Sequence, residues 1–212
     1  MATESAPTAS TILGMKLSAV ALVALLPCLA ASLGDIDKAR SIGNPAATVR
    51  IELFSDFQCP GCKVFHEAVL PVIIRDYVAQ GRVYVISHEF PLPMHPYSRE
   101  AANYAVAAAE VGKYQQVADA LFKNQATWGN NGKVWDTVAA VLTPTEQKRV
   151  QALAKESSVL AQVQQDVDAG QMQRVGGTPT VFVVKGQRRY PYAYPDPGNY
   201  PLLRALIDGL LK

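Results

Sequence analysis

Cysteine is scarce in this chain, with three in 212 residues. That excludes a small domain stapled by several disulfides, which needs more cysteines in fewer residues. Net charge is equally slight, +2 from 20 basic and 18 acidic residues. No Lys/Arg run forms a phosphate-tracking stripe, and Arg188-Arg189 is too short to count, so nucleic acid is not an expected partner. A Gly-rich phosphate loop and an internal repeat are also missing. What remains has 49% apolar residues, the composition of a folded globular protein with one domain, or one domain carrying an insertion.

The longest uncharged run, Leu17 to Gly34, lies near the N-terminus between Lys16 and Asp35. Leu17 to Leu26 has the length of a signal-peptide core, Pro27 breaks it, and the small residues Ala30, Ala31 and Ser32 follow. Cleavage after Ala30 or Ala31 is expected. An uncleaved anchor competes, the run being at the lower edge of a spanning length. Residues 1–14 carry Glu4 and no basic residue, whereas Met15-Lys16-Leu17-Ser18 is a conventional signal opening, which makes Met15 the expected start. Pro27 directly before Cys28 argues against lipidation there. The expected organisation is a signal peptide or anchor over 1–34, a polar linker over 35–47 and a folded domain over 48–212. That domain would face an oxidising compartment, where a cysteine pair is free to form a disulfide.

Within the domain, Thr48 to Phe54 alternates as a strand. Lys63 to Gln80 carries apolar residues at helical spacing, with a kink expected at Pro71 and an end at Gly81. Arg82 to Phe90 is a second strand, so the opening is a βαβ unit with a parallel pair. From about 97 to 173 the pattern is helical, three or four helices, and Thr143-Pro144-Thr145-Glu146 reads as a capping box. Trp128 and Trp135 are expected to pack in this block. Thr180 to Val184 is a third strand, a turn at Lys185-Gly186 leads to a fourth from Arg188, residues 190–197 read as irregular, and Tyr200 to Leu211 closes as a helix. The order is β-α-β, a helical block, then β-β-α.

The chemistry concentrates in Cys59-Pro60-Gly61-Cys62. Two intervening residues at a helix start bring two sulfurs within bonding reach. The first then sits where free N–H groups and the positive dipole end favour a thiolate, the reacting form. Cys59 is the expected nucleophile and Cys62 the shielded, resolving thiol. Pro60 suits the first turn because it lacks an N–H that would be orphaned there. Half of a zinc site is the alternative, with His66 on the same helical face and His88 or His95 as fourth ligand. Gly176-Gly177-Thr178-Pro179-Thr180 is the second element, a loop opening a strand, where Thr-Pro can be cis.

A C-x-x-C at the first helix and a Thr-Pro loop before a later strand, separated by helices, resemble the thioredoxin fold. The helical insertion resembles its DsbA-like branch. The residues carrying the resemblance are Phe54 to Lys63, Glu89-Phe90-Pro91-Leu92, the Ala-rich helix from Arg99, Tyr114 to Gln125, and Gly177 to Thr180. The resemblance spans about 45 to 212. It implies a thiol–disulfide oxidoreductase that needs no cofactor. Pro179 would be cis beside Cys59, and Thr178 would offer backbone groups to a substrate chain. Substrates would be reduced or misoxidised secreted polypeptides, and a quinone-linked membrane partner would reoxidise the pair of a monomeric, periplasmic or extracytoplasmic oxidase. A reductase or isomerase running the same residues in reverse is the enzymatic alternative, and a chaperone or metal-binding module the non-enzymatic one. Two departures matter. Gly61 stands where strong oxidases of this family often carry His. The acid often found beneath the active site has Glu52 as its candidate here, a proton shuttle to Cys62.

Overall fold

The computed structural model describes residues 37–193 and 200–212; the expected export signal lies outside them. Among the described residues no helix is long and apolar enough to cross a membrane.

The βαβ opening forms as the sequence pattern predicts. β2 (Val49–Ser55) alternates its side chains across the sheet, and β3 (Val83–Glu89) pairs with it in parallel, Ile51 opposite Val85. β4 (Thr180–Lys185) joins the other edge of β2 antiparallel, and β5 (Arg188–Ala193) follows through a tight turn with Gly186 at φ +58°. A short strand precedes them all: β1 (Ser41–Ile42) pairs antiparallel with β3, giving the order β1-β3-β2-β4-β5.

That strand corrects the expected linker over 35–47. Arg40, next to it, is fully buried and paired with Asp37 and Asp166. A two-residue strand is too short to show an alternating pattern, and Asp166, the buried partner of Arg40, lies 126 residues away. β5 also runs to Ala193, through part of the stretch read as irregular. Pro191 is tolerated because β5 is an edge strand, where a missing N–H breaks no ladder.

Between β2 and β3, residues 60–78 form one helical run, α1. Its α-helical turns Pro60–Val64 and Leu70–Ile73 alternate with the wider π turns Phe65–Val69 and Ile74–Val78. The first π turn lies just ahead of Pro71, whose ring would clash with a carbonyl of a regular preceding turn. Gly81, at φ +70°, ends the run.

The helical block contains six helices rather than three or four: α2 (Ser98–Ala109), α3 (Tyr114–Lys123), α4 (Gln125–Asn131), α5 (Val134–Ala139), α6 (Pro144–Leu153) and α7 (Ser157–Met172). Asn124 alone separates α3 from α4, without proline or glycine to mark the break. The capping box is present: Thr143 accepts from the Glu146 N–H and Glu146 accepts from the Thr143 N–H at 2.8 Å. α8 (Tyr200–Leu210) closes the fold.

The period of β2 decides which layer each residue joins. Val49, Ile51 and Leu53 pack with Phe65, Val69 and Ile73 of α1 and Leu203 and Ile207 of α8. Phe54, on the opposite face, packs with Phe90, Phe182 and Val167 of α7. Gly170 lets α7 approach that face, since a Cβ there would stand 2.5 Å from the Phe90 ring. The helical block has its own core around fully buried Trp128, and Phe57, Cys59 and Cys62 belong to it. The reactive turn therefore sits where sheet and helical block meet.

Candidate active site

β2 delivers the chain to Asp56, and a turn closed by the Cys59 N–H on the Asp56 carbonyl (3.1 Å) starts α1. Cys59 is the N-cap, extended at φ −76° and ψ 122°, with Pro60 in the first turn. Cys59 remains 9% exposed, whereas Cys62 is 1% exposed, so Cys59 is the more accessible of the two sulfurs. The Cys59 thiol is lowered to about 5, chiefly by hydrogen bonding from the Cys62 thiol, against the cost of burial, with help from Thr178 and the backbone N–H groups of Cys62 and Gly61. Burial, then the hydrogen bond with Cys59 and the Cys59 charge, push the Cys62 thiol well up. The two sulfurs are thus unequal: their surroundings favour the charged form at Cys59 and disfavour it at Cys62.

The loop before β4 completes the site. The Thr178–Pro179 bond is cis, and the Thr178 carbonyl lies 3.3 Å from Cys59 Sγ. Gly61 faces Pro179: a Cβ on Gly61 would stand 3.3 Å from Pro179 Cδ and 3.8 Å from Cys59 Sγ. Cys59, Pro60, Gly61, Cys62, Thr178 and Pro179 are therefore one site, assembled from segments over a hundred residues apart. Beside it an open groove of about 440 Å³ runs along Val175 to Thr180, lined also by Phe182 and Pro191.

Three polar residues fix the turn, and sequence reasoning assigned none of them a role. Gln125 donates to the carbonyls of Phe57 (2.7 Å) and Cys59 (2.9 Å). Gln58 donates to the Gly129 carbonyl and accepts from the Tyr97 N–H. Asp56, 1% exposed, accepts from the Gln58 N–H. Asp56 and Gln58 could have been suspected from their place beside Cys59. Gln125 has no local signal, because its partners are 66 and 68 residues away.

Glu52 is not brought to the cysteines. It is buried, but bonded to Arg50 and Arg189, on the Phe54 and Phe182 side of the sheet. Sharing a face with Phe54 is what removes it, since Leu53 and Ser55 are the β2 residues on the Cys62 side. The acid there is Glu89, at the end of β3. It is 2% exposed, accepts from the Tyr114 hydroxyl at 2.6 Å, and lines with Cys62 and Ser55 an enclosed cavity of about 20 Å³. Burial pushes Glu89 up to about 8, against the opposing pull of Arg40.

The histidines are dispersed. His66 bonds Asp119 (2.7 Å), His88 stacks on Phe54 and bonds Asp166 (3.1 Å), and His95 bonds Asp56 (2.7 Å). Among the described residues no three His, Cys, Asp or Glu side chains gather as a metal set.

A cysteine pair at the head of a helix, facing a cis-proline loop on a mixed sheet, defines a thioredoxin-fold thiol protein with a DsbA-type helical insertion. The chain belongs to the thioredoxin family: the family described as Thioredoxin matches residues 36–200. The crystal structure of oxidised BdbD from Bacillus subtilis superposes with a TM-score of 0.67 at 23% identity, over 82% of this chain and 94% of that one. Disulfide bond formation protein D of Bacillus subtilis is 27% identical over 151 residues, 67% of this chain and 66% of its own length. A Na(+)/H(+) antiporter NhaA 3 of Salinispora tropica is 30% identical over 159 residues, 74% of this chain but 23% of its own length. The chain thus spans about a quarter of that relative.

Proposed function

We propose that this chain is an extracytoplasmic protein disulfide oxidoreductase that introduces disulfides into secreted polypeptides. The unequal sulfur pair carries the reading: a Cys59 thiolate stabilised down to about 5 beside a buried Cys62 thiol. Stabilising the thiolate stabilises the reduced enzyme, so its disulfide readily passes to a substrate.

In the reaction a substrate thiolate attacks Cys59 Sγ. An intermolecular S–S bond forms, the Cys59–Cys62 bond breaks, and its electron pair goes to Cys62, which takes a proton. A second substrate thiolate attacks the first substrate sulfur and releases Cys59 as thiolate. Two electrons pass from two substrate thiols to the pair. Thr178 aligns the incoming chain, its carbonyl already at the reacting sulfur. Glu89, through the small cavity, is the group of fitting place to exchange the Cys62 proton; that cavity has room for one water. Substrates are reduced or misoxidised secreted chains, and a membrane-bound, quinone-linked protein removes the electrons.

The test is the potential of the Cys59–Cys62 pair, from thiol-labelled fractions equilibrated in glutathione buffers. A value near about −120 mV is expected of an oxidase, and one near about −270 mV would make the protein a reductase. Full activity in Cys59→Ser would remove thiol chemistry altogether.

A further inference from the structure

Asp56 is a buried carboxylate that the exchange steps above do not use. Burying an ionised carboxylate is costly unless donors surround it, and Asp56 has three. Oδ1 accepts from the Gln58 N–H at 2.7 Å, while Oδ2 accepts from the Leu92 N–H at 2.7 Å and from His95 Nδ1 at 2.7 Å. The first donor belongs to the reactive turn. The other two belong to the loop after β3, itself closed by the His95 N–H on the Leu92 carbonyl at 3.0 Å. Asp56 thus pins the turn and this loop together.

The backbone of Asp56 meets both cysteines. Its carbonyl accepts from the Cys59 N–H at 3.1 Å, and its own N–H is aimed at Cys62 Sγ at 3.4 Å. Cys62 is the sulfur that leaves with the electron pair when Cys59 is attacked. A donor fixed beforehand where negative charge develops lowers the barrier without reorganising at the moment of reaction.

We propose that Asp56 is the positioning residue of the resolving sulfur: its carboxylate, clamped to Gln58, Leu92 and His95, holds its backbone N–H against Cys62 Sγ, so that the departing thiolate meets a preset hydrogen bond. This rests on the thiol-exchange reading. It gives the loop after β3 a part in the chemistry, although that loop carries no reacting atom.

The oxidised full chain is reduced with glutathione at pH 7, the rate being followed in wild type, Asp56→Ala, Asp56→Asn and His95→Ala. Alkylation of Cys59 in the reduced proteins is the control, because it involves no departure of Cys62. Asp56→Ala should slow reduction by about tenfold, the size of a lost hydrogen bond to a charged group. Asp56→Asn retains one acceptor oxygen and His95→Ala two of the three donors, so both should fall between. Cys59 alkylation should hold in all of them. Unchanged reduction in Asp56→Ala overturns the proposal, as does an equal fall in reduction and alkylation. Should Asp56→Ala not fold, His95→Ala decides: slower reduction with unchanged alkylation supports the positioning role, and an unchanged rate overturns it. A wild-type pair that forms no reversible disulfide defeats the underlying thiol-exchange reading instead.

Discussion

Cys59 Sγ lies 3.3 Å from the carbonyl oxygen of Thr178, a residue 119 positions further along the chain. The contact joins a helix N-terminus to a strand-opening loop. A substrate strand pairing with Thr178 would therefore carry its own sulfur to the reactive one.

The largest stabilisation of the Cys59 thiolate comes from Cys62. Cys62→Ala should therefore raise the Cys59 inflection above about 5 toward the ordinary value, measured by thiolate ultraviolet absorbance against pH. A depressed acid adds stability above its unfolded value, and that stability is lost as pH falls through its folded value. Reduced protein should thus gain stability between about pH 5 and pH 9. In Cys62→Ala this pH-dependent gain should shrink.

Glu89 has the opposite sign. Its folded value is raised to about 8, so its contribution is fully present below about pH 4.5 and lost as pH rises toward 8. Glu89→Gln should flatten that loss in denaturant titrations across the window. It should also slow the steps that move the Cys62 proton, at most about a hundredfold, the low end of general acid–base contributions. Glu52→Gln should leave those steps unchanged, because Glu52 faces Arg50 and Arg189.

Arg40 compensates buried Asp166, which also accepts from the Glu89 N–H and His88. Arg40→Ala leaves that charge unpaired and should destabilise the domain by about 3–5 kcal/mol, read from chemical denaturation. The change should exceed that of Arg75→Ala, whose Asp76 partner is reached at an exposed site.

Gly170→Ala would force a methyl group onto the Phe90 ring. Overpacking of this kind costs about 1–3 kcal/mol. Thermal melting should show the loss, while Cys59 alkylation should keep its wild-type rate.

Several elements were legible because their causes are local. The alternation of Val49, Ile51 and Leu53 announces β2, Gly81 ends α1, and Thr143 with Glu146 caps α6 through groups three residues apart. The cysteine spacing and Thr178-Pro179 are read just as directly. The split of the helical block into six was hidden, because Asn124 interrupts a helix without a breaker's signature. β1 was hidden by its length, and the burial of Arg40 by the distance to Asp166. Glu52 was misread through strand parity: the Phe54 side of β2 looked like the side of the site, and the sheet turns it away.

By itself the sequence determined what depends on neighbours along the chain: a dithiol at a helix start, a proline loop before a strand, and the order of the four longer strands around a helical block. Only the tertiary structure decided which acid stands at Cys62, which side chains clamp the turn, and that Thr178 meets Cys59. Those relations join residues from separate elements, and the packing of both faces of the sheet fixes them, which no spacing in the chain encodes.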